Sequence, residues 1–185
     1  MKLRDILLAV TMIIFWGANF TVIKVGLAGM PSMLLVCLRY VLVVVPAIFF
    51  VPRPPVRARY WVAYGLAVGV GQFAPLFYAL EIGLPAGVAS VMMQSQAFFT
   101  ALLAALLLRE PLRPSQLVGM TIAAAGLALI ALAPAGPHVA AIPLGASLLA
   151  LVGAASWGLS NIVVRQAVLA AAEAGQSLDG LALVV

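Results

Sequence analysis

Residues Trp16–Lys24 read WGANFTVIK, and residues Trp157–Arg165 read WGLSNIVVR. Each stretch opens on Trp-Gly inside an apolar run and closes on a cation eight residues later. The two Trp-Gly pairs lie 141 positions apart, and so do Lys24 and Arg165. Chance places two Trp-Gly pairs in an apolar chain more easily than it also matches the cation spacing and the flanks. The reading is one ancestral unit used twice.

The surrounding composition sets the solvent. Hydrophobic residues make up 65% of the 185 and charged residues 8%, with a mean hydropathy of +1.21. A soluble domain is about half apolar and about a quarter charged, so this chain is expected to be an integral membrane protein with the lipid bilayer as its partner. The net charge of +5 does not point to nucleic acid, because long apolar runs separate the ten basic residues and no basic face forms. Cys37 is the only cysteine, which excludes an internal disulfide framework. Lys2 and Arg4 resemble the start of a signal peptide, but Ile6–Ile23 is uncharged and longer than a signal h-region, and further spans follow.

A helix needs about 20 apolar residues to cross the hydrocarbon core. Six stretches are read as spans: Ile6–Ala28, Met33–Val51, Tyr60–Leu80, Leu84–Leu108, Leu117–Ala133 and Leu144–Val164. Proline ends helices at Met30-Pro31-Ser32, Pro52–Pro55, Arg113-Pro114-Ser115 and Pro134–Pro137. Lys2, Arg4, Arg53, Arg57, Arg59, Arg109, Arg113 and Arg165 all fall on one side of the zigzag, which places the N-terminus in the cytoplasm. Glu81 and His138 fall on the other side. A unit of five spans is odd, so its repeat enters the membrane inverted, with Lys24 and Arg165 at opposite faces. The expected organisation is a first five-helix unit over residues 1–140 and the start of an inverted second unit over 141–185. The second unit is cut short, and Leu181–Val185 reads as the beginning of a seventh span. If the short chain is natural, two copies would have to assemble as a homodimer.

Polar residues within spans mark candidate sites. Arg39 lies well inside the second span, where a central cation costs at least ~2.5 kcal/mol to insert. Two readings stand: Arg39 meets an anionic group in a wet cavity, or it snorkels to the headgroups. For Lys24, nearer the interface, snorkelling leads. In the third span, Gly65 and Gly69 suit close helix contact, and Pro75 frees the Gly71 carbonyl and bends the helix. A bent helix lets Gln72 and Tyr78 line a cavity. In the fourth span Ser90, Gln94 and Phe98 recur every four residues on one face, with Gln96 on the opposite side. Trp16, Asn19 and Phe20 share a face of the first span, and Trp157 and Asn161 of the second copy complete the set. There is no phosphate-binding Gly-x-x-x-x-Gly-Lys-Ser/Thr loop, no His-Glu-x-x-His and no carboxylate deep in a span. ATP hydrolysis, a metal site and a cofactor are therefore not expected, and neither is an enzyme, since no nucleophile–base pair sits at depth.

These residues carry a resemblance. WGANFTVIKVGL, LRYVLVVVPAIFFVPRP, GQFAPLFYAL, LPAGVASVMMQSQAFFTALL and LREPL resemble the EamA-type transporters of the drug/metabolite transporter superfamily, along all 185 residues. QSQAFFT and PAIFFVPRP favour the subgroup that exports amino-acid metabolites. The resemblance implies an all-α, ten-helix, inverted-repeat carrier of the bacterial inner membrane. Such a carrier exports small amino-acid metabolites, such as cysteine or O-acetylserine, by alternating access. Arg39 would then hold a carboxylate. Asn19, Ser90 and Gln94 would hydrogen-bond the remainder, and Trp16, Tyr78 and Phe98 would wall the cavity. The alternatives are a carrier on this plan for a different small solute and a structural or regulatory membrane subunit whose glycine faces only bind partner helices.

Overall fold

The computed structural model describes residues 3–51, 56–132, 142–176 and 178. Lys2, the stretches Pro52–Pro55 and Pro134–Pro137, His138 and the Leu181–Val185 segment lie outside the described residues. Within them every regular element is a helix: α1 (Leu3–Gly26), α2 (Ser32–Ala47), α3 (Ala58–Glu81), α4 (Ala86–Leu107), α5 (Pro114–Leu132) and α6 (Leu144–Glu173). Helices α1, α3, α4 and α6 are long and apolar enough to cross a membrane. The 16-residue α2 spans only about 24 Å at 1.5 Å per residue. Helix α6 runs for 30 residues, past the expected end at Val164 to Glu173.

The helices alternate in direction. Ser32 N–H donates to the Glu81 carboxylate at 3.1 Å, which ties the start of α2 to the end of α3. Gly83, in the α3–α4 turn, faces Pro143 just ahead of α6. Lys24 Nζ donates to the Leu80 carbonyl at 2.6 Å, so the end of α1 lies there too. Arg165 pairs with Glu110, beyond the end of α4, at the opposite end of the molecule.

Helix α6 is the centre, packed along α3 and α4. Ala146, Ala150, Ala154, Gly158, Ile162, Ala167 and Ala171 are buried along it. Small side chains let backbones approach closely where lipid gives no hydrophobic drive. The tightest approaches fall at Gly71, where an added Cβ would lie 2.7 Å from Ser156 Oγ, at Gly153 (2.9 Å from Gln72 O) and at Gly158 (2.8 Å from Phe99 Cβ). The close contact expected at Gly65 and Gly69 is not made: nothing lies within 4 Å of Gly65, and Gly69 meets only the Tyr40 ring at 3.8 Å. Phe20, Ile23, Val36, Leu76, Phe77, Leu80, Met93 and Ala150 belong to the core that α1, α2, α3, α4 and α6 share.

Two helices are locally irregular. Helix α3 is α-helical to Gly65, π-wound over Leu66–Phe73 and α-helical again from Ala74. Pro75 has no N–H for the Gly71 carbonyl, and the π-wound stretch ends two residues before it. In α4, Gln94 and Ser95 form a turn whose N–H groups bond three residues back, to Val91 and Met92. The Ser95 hydroxyl also donates to the Met92 carbonyl, at 2.6 Å. Such tightening advances each residue by about 120° rather than about 100°. The four-residue register of Ser90, Gln94 and Phe98 is therefore not continuous through the span.

Candidate functional site

The floor of the site is aromatic. Phe73 and Phe77 are four residues apart on α3, with centroids 6.0 Å apart and planes at 82°. Tyr40 meets Phe73 edge-on at 6.1 Å. Arg39, midway along α2, lays its guanidinium 4.3 Å from the Phe73 centroid and 6.0 Å from that of Phe77. Stacking on a ring face favours a cation by ~0.5–2 kcal/mol, more when it is desolvated. It satisfies no N–H, however. Arg39 Nη1 is buried and has no hydrogen-bond partner.

That side chain opens into a cavity of about 310 Å³ between α1, α2, α3, α4 and α6. Trp16, Asn19 and Phe20 line it from α1, Gln72, Phe73 and Leu76 from α3, Met93 from α4 and Trp157 from α6. Trp16 and Trp157, the leading residues of the two repeated stretches, stack with centroids 5.2 Å apart and planes at 25°. Gln72 is 6% exposed, and neither its amide nor that of Asn19 bonds to another group among the described residues. The cavity thus presents one cation and two free amides within aromatic and thioether walls. It has no carboxylate among its lining residues. This set suits a small anionic group with a short polar or apolar remainder.

Of the candidates named from sequence, Trp16, Asn19, Phe20, Arg39, Gln72 and Trp157 come together here, and five others do not. Asn161 Nδ2 donates to Gln96 Oε1 at 2.9 Å and to Thr100 Oγ1 at 3.0 Å, which joins α6 to α4. Ser90 donates to the Gly87 carbonyl at 2.7 Å. Gln94 and Tyr78 are exposed and Phe98 is half-buried, none of them on the cavity. Sequence reasoning missed Phe73 and Met93. The Phe73–Phe77 spacing was a usable signal, whereas Met93, buried just before the Gln94–Ser95 turn, carries no polar group that would mark it in an apolar span. Among the described residues, no three of His, Cys, Asp and Glu gather as metal ligands.

Residues 3–132 match the EamA-like transporter family. The chain is 46% identical over 163 residues to a "probable amino-acid metabolite efflux pump" of Salmonella typhimurium, covering 88% of this chain and 54% of that protein. The Escherichia coli protein described in the same words is 45% identical, with the same coverage. A "probable terminal-alkyne amino-acid exporter" of Streptantibioticus cattleyicolor is 31% identical over 139 residues, covering 72% of this chain and 47% of that protein. The chain spans about half the length of the curated relatives it matches. No solved structure matches it.

Proposed function

Because this chain belongs to the EamA-like transporter family, a family of multi-pass membrane transporters and not of enzymes, we propose that it exports small amino-acid metabolites across the bacterial inner membrane. The observation that carries this reading is the buried Arg39 Nη1, without a partner beside a cavity of about 310 Å³. A cation at this depth calls for an anion, and a carboxylate is the anion that every amino-acid metabolite has. The names of the relatives support the same class of solute. In this reading Asn19 and Gln72 bond the polar remainder of the solute. Phe20, Trp16 and Trp157 bound its size. Alternating access between two inverted five-helix units, the first over residues 1–140, moves it across.

Efflux from bacterial cells tests this. Release of cysteine and O-acetylserine into the medium is followed with the chain at its full encoded length, and the Arg39→Gln variant is compared at equal membrane abundance. A charge-assisted bond is worth ~1.5–3 kcal/mol, and each ~1.4 kcal/mol is tenfold. Release per molecule is expected to fall by about ten- to a hundredfold at limiting solute. Unchanged release would remove Arg39 from the site. No release of either solute by the parent protein would overturn the exporter reading for this pair.

A further inference from the structure

A second cavity, of about 590 Å³, opens where α3 begins and α6 finishes, and it shares no lining residue with the cavity at Arg39. Charges of opposite sign line it from the two helices. Arg59, in the first turn of α3, lays its guanidinium 4.7 Å from the Tyr60 ring centroid and donates from Nη2 to the Tyr60 hydroxyl at 2.8 Å. That holds the cation in place and leaves its other N–H groups, and the hydroxyl proton, for an acceptor. Glu173, the last residue of α6, has no hydrogen bond or ion pair to another described residue, so the two charges stand apart. The helix ends reinforce both signs. No side chain caps the start of α3, which is the positive end of its dipole, and α6 presents its negative end. The inner lining is apolar: Ala63 lies about one turn into α3 from Arg59, and Val163 about three turns back along α6 from Glu173. Trp61, beside Tyr60, is 46% exposed, and tryptophan favours the headgroup level of a bilayer.

We propose that this cavity binds the headgroup of a membrane phospholipid that carries a primary ammonium, as phosphatidylethanolamine does. The phosphate lies on Arg59, the Tyr60 hydroxyl and the start of α3. The ammonium donates to the Glu173 carboxylate and to the side-chain carbonyl of Gln166, which also lines the cavity. The first part of an acyl chain follows Ala63 and Val163 toward the hydrocarbon. This charge pattern discriminates between lipids. An anionic headgroup without an amine meets Glu173 as a like charge, and a choline headgroup has no N–H to donate to it. Size and lining argue against a small free zwitterion. The cavity is nearly twice the 310 Å³ of the one at Arg39, and its polar groups gather at the helix ends while its depth is apolar. The inference uses neither export nor Arg39, so it fails separately from the exporter reading.

Lipid retention measured by native mass spectrometry tests it. The protein at its full encoded length is delipidated in detergent and offered dioleoyl phosphatidylethanolamine, phosphatidylcholine and phosphatidylglycerol in equal amounts. The ethanolamine lipid is expected to be retained about tenfold over each of the others, the scale of one charge-assisted hydrogen bond. Arg59→Gln is expected to lower retention of all three, since all three have the phosphate. Glu173→Gln is expected to abolish the preference and to raise retention of phosphatidylglycerol. Both residues are exposed, so the fold does not hang on either, and Tyr60→Phe serves in place of Arg59→Gln if that variant does not accumulate. Equal retention of the three lipids by the parent protein would overturn the proposal, as would a Glu173→Gln variant that keeps the parent's preference. Retention of water-soluble glycerophosphoethanolamine as strong as that of the lipid would make this a solute site and overturn it too.

Discussion

At the scale of single residues, Gln72 separates stability from function. It is 6% exposed and its amide bonds to no group among the described residues, yet the buried side-chain atoms left without a partner are Arg39 Nη1 and Tyr40 Oη, not the Gln72 amide, which lines the cavity. A structural residue would be bonded to its neighbours; a binding residue waits for its partner. Gln72→Leu removes the amide at similar volume. It should leave thermal stability in detergent within about 0.5 kcal/mol while lowering release per molecule by about tenfold. If melting temperature and release fall together, Gln72 is part of the packing and not of the site. The sequence made Arg39 and Gln72 legible because a polar group in an apolar span has to be accounted for. It held no sign of the Phe73 ring beneath Arg39, because one more aromatic in a membrane helix is ordinary there.

At the scale of helices, the fold depends on how closely α6 approaches α3 and α4. A methyl at Gly158 would lie 2.9 Å from the Thr100 backbone nitrogen, and a backbone atom cannot swing away as a side chain can. Gly158→Ala should therefore destabilise the protein by ~1–3 kcal/mol, as overpacking does. On α5, nothing lies within 4 Å of Gly126. There the same change should be neutral or stabilising, by up to about 1 kcal/mol, through helix propensity. Thermal melts of the two variants should move in opposite directions, and parallel shifts would mean that α6 has slack. Span existence was readable from apolar length alone. Glycine function was not, since it depends on what stands opposite: Gly65 and Gly69 have the spacing of a contact motif, yet Gly71, Gly153 and Gly158 make the contacts. The LREPL stretch shows another limit. Arg109 takes a left-handed φ of 56° at the end of α4, a conformation that costs a non-glycine residue ~1–2 kcal/mol. The turn there leaves Glu110 in reach of Arg165, and nothing in the letters shows that geometry.

At the scale of the molecule, charge is distributed by end. Arg57 and Arg59 just before and at the start of α3, Arg109 and Arg113 between α4 and α5, and Arg165 late in α6 share an end with the start of α1. Among the described residues Lys24 is the cation of the other end. The Arg165–Glu110 pair is half exposed, and such pairs are worth ~0–1 kcal/mol. These charges therefore matter more for orientation than for stability. Lys and Arg in short loops are retained in the cytoplasm, so the arginine-rich end should face inward. The single substitutions Gly29→Cys and Ser115→Cys in a Cys37→Ala background report this, since both positions are exposed and lie at opposite ends. A maleimide that cannot cross membranes should label the Gly29→Cys variant in intact cells, and should label the Ser115→Cys variant only after permeabilisation. The reverse pattern would leave the helix packing untouched but invert the carrier. The Lys24 end would then face the cytoplasm, and the proposed direction of export would have to be argued again from the cavity.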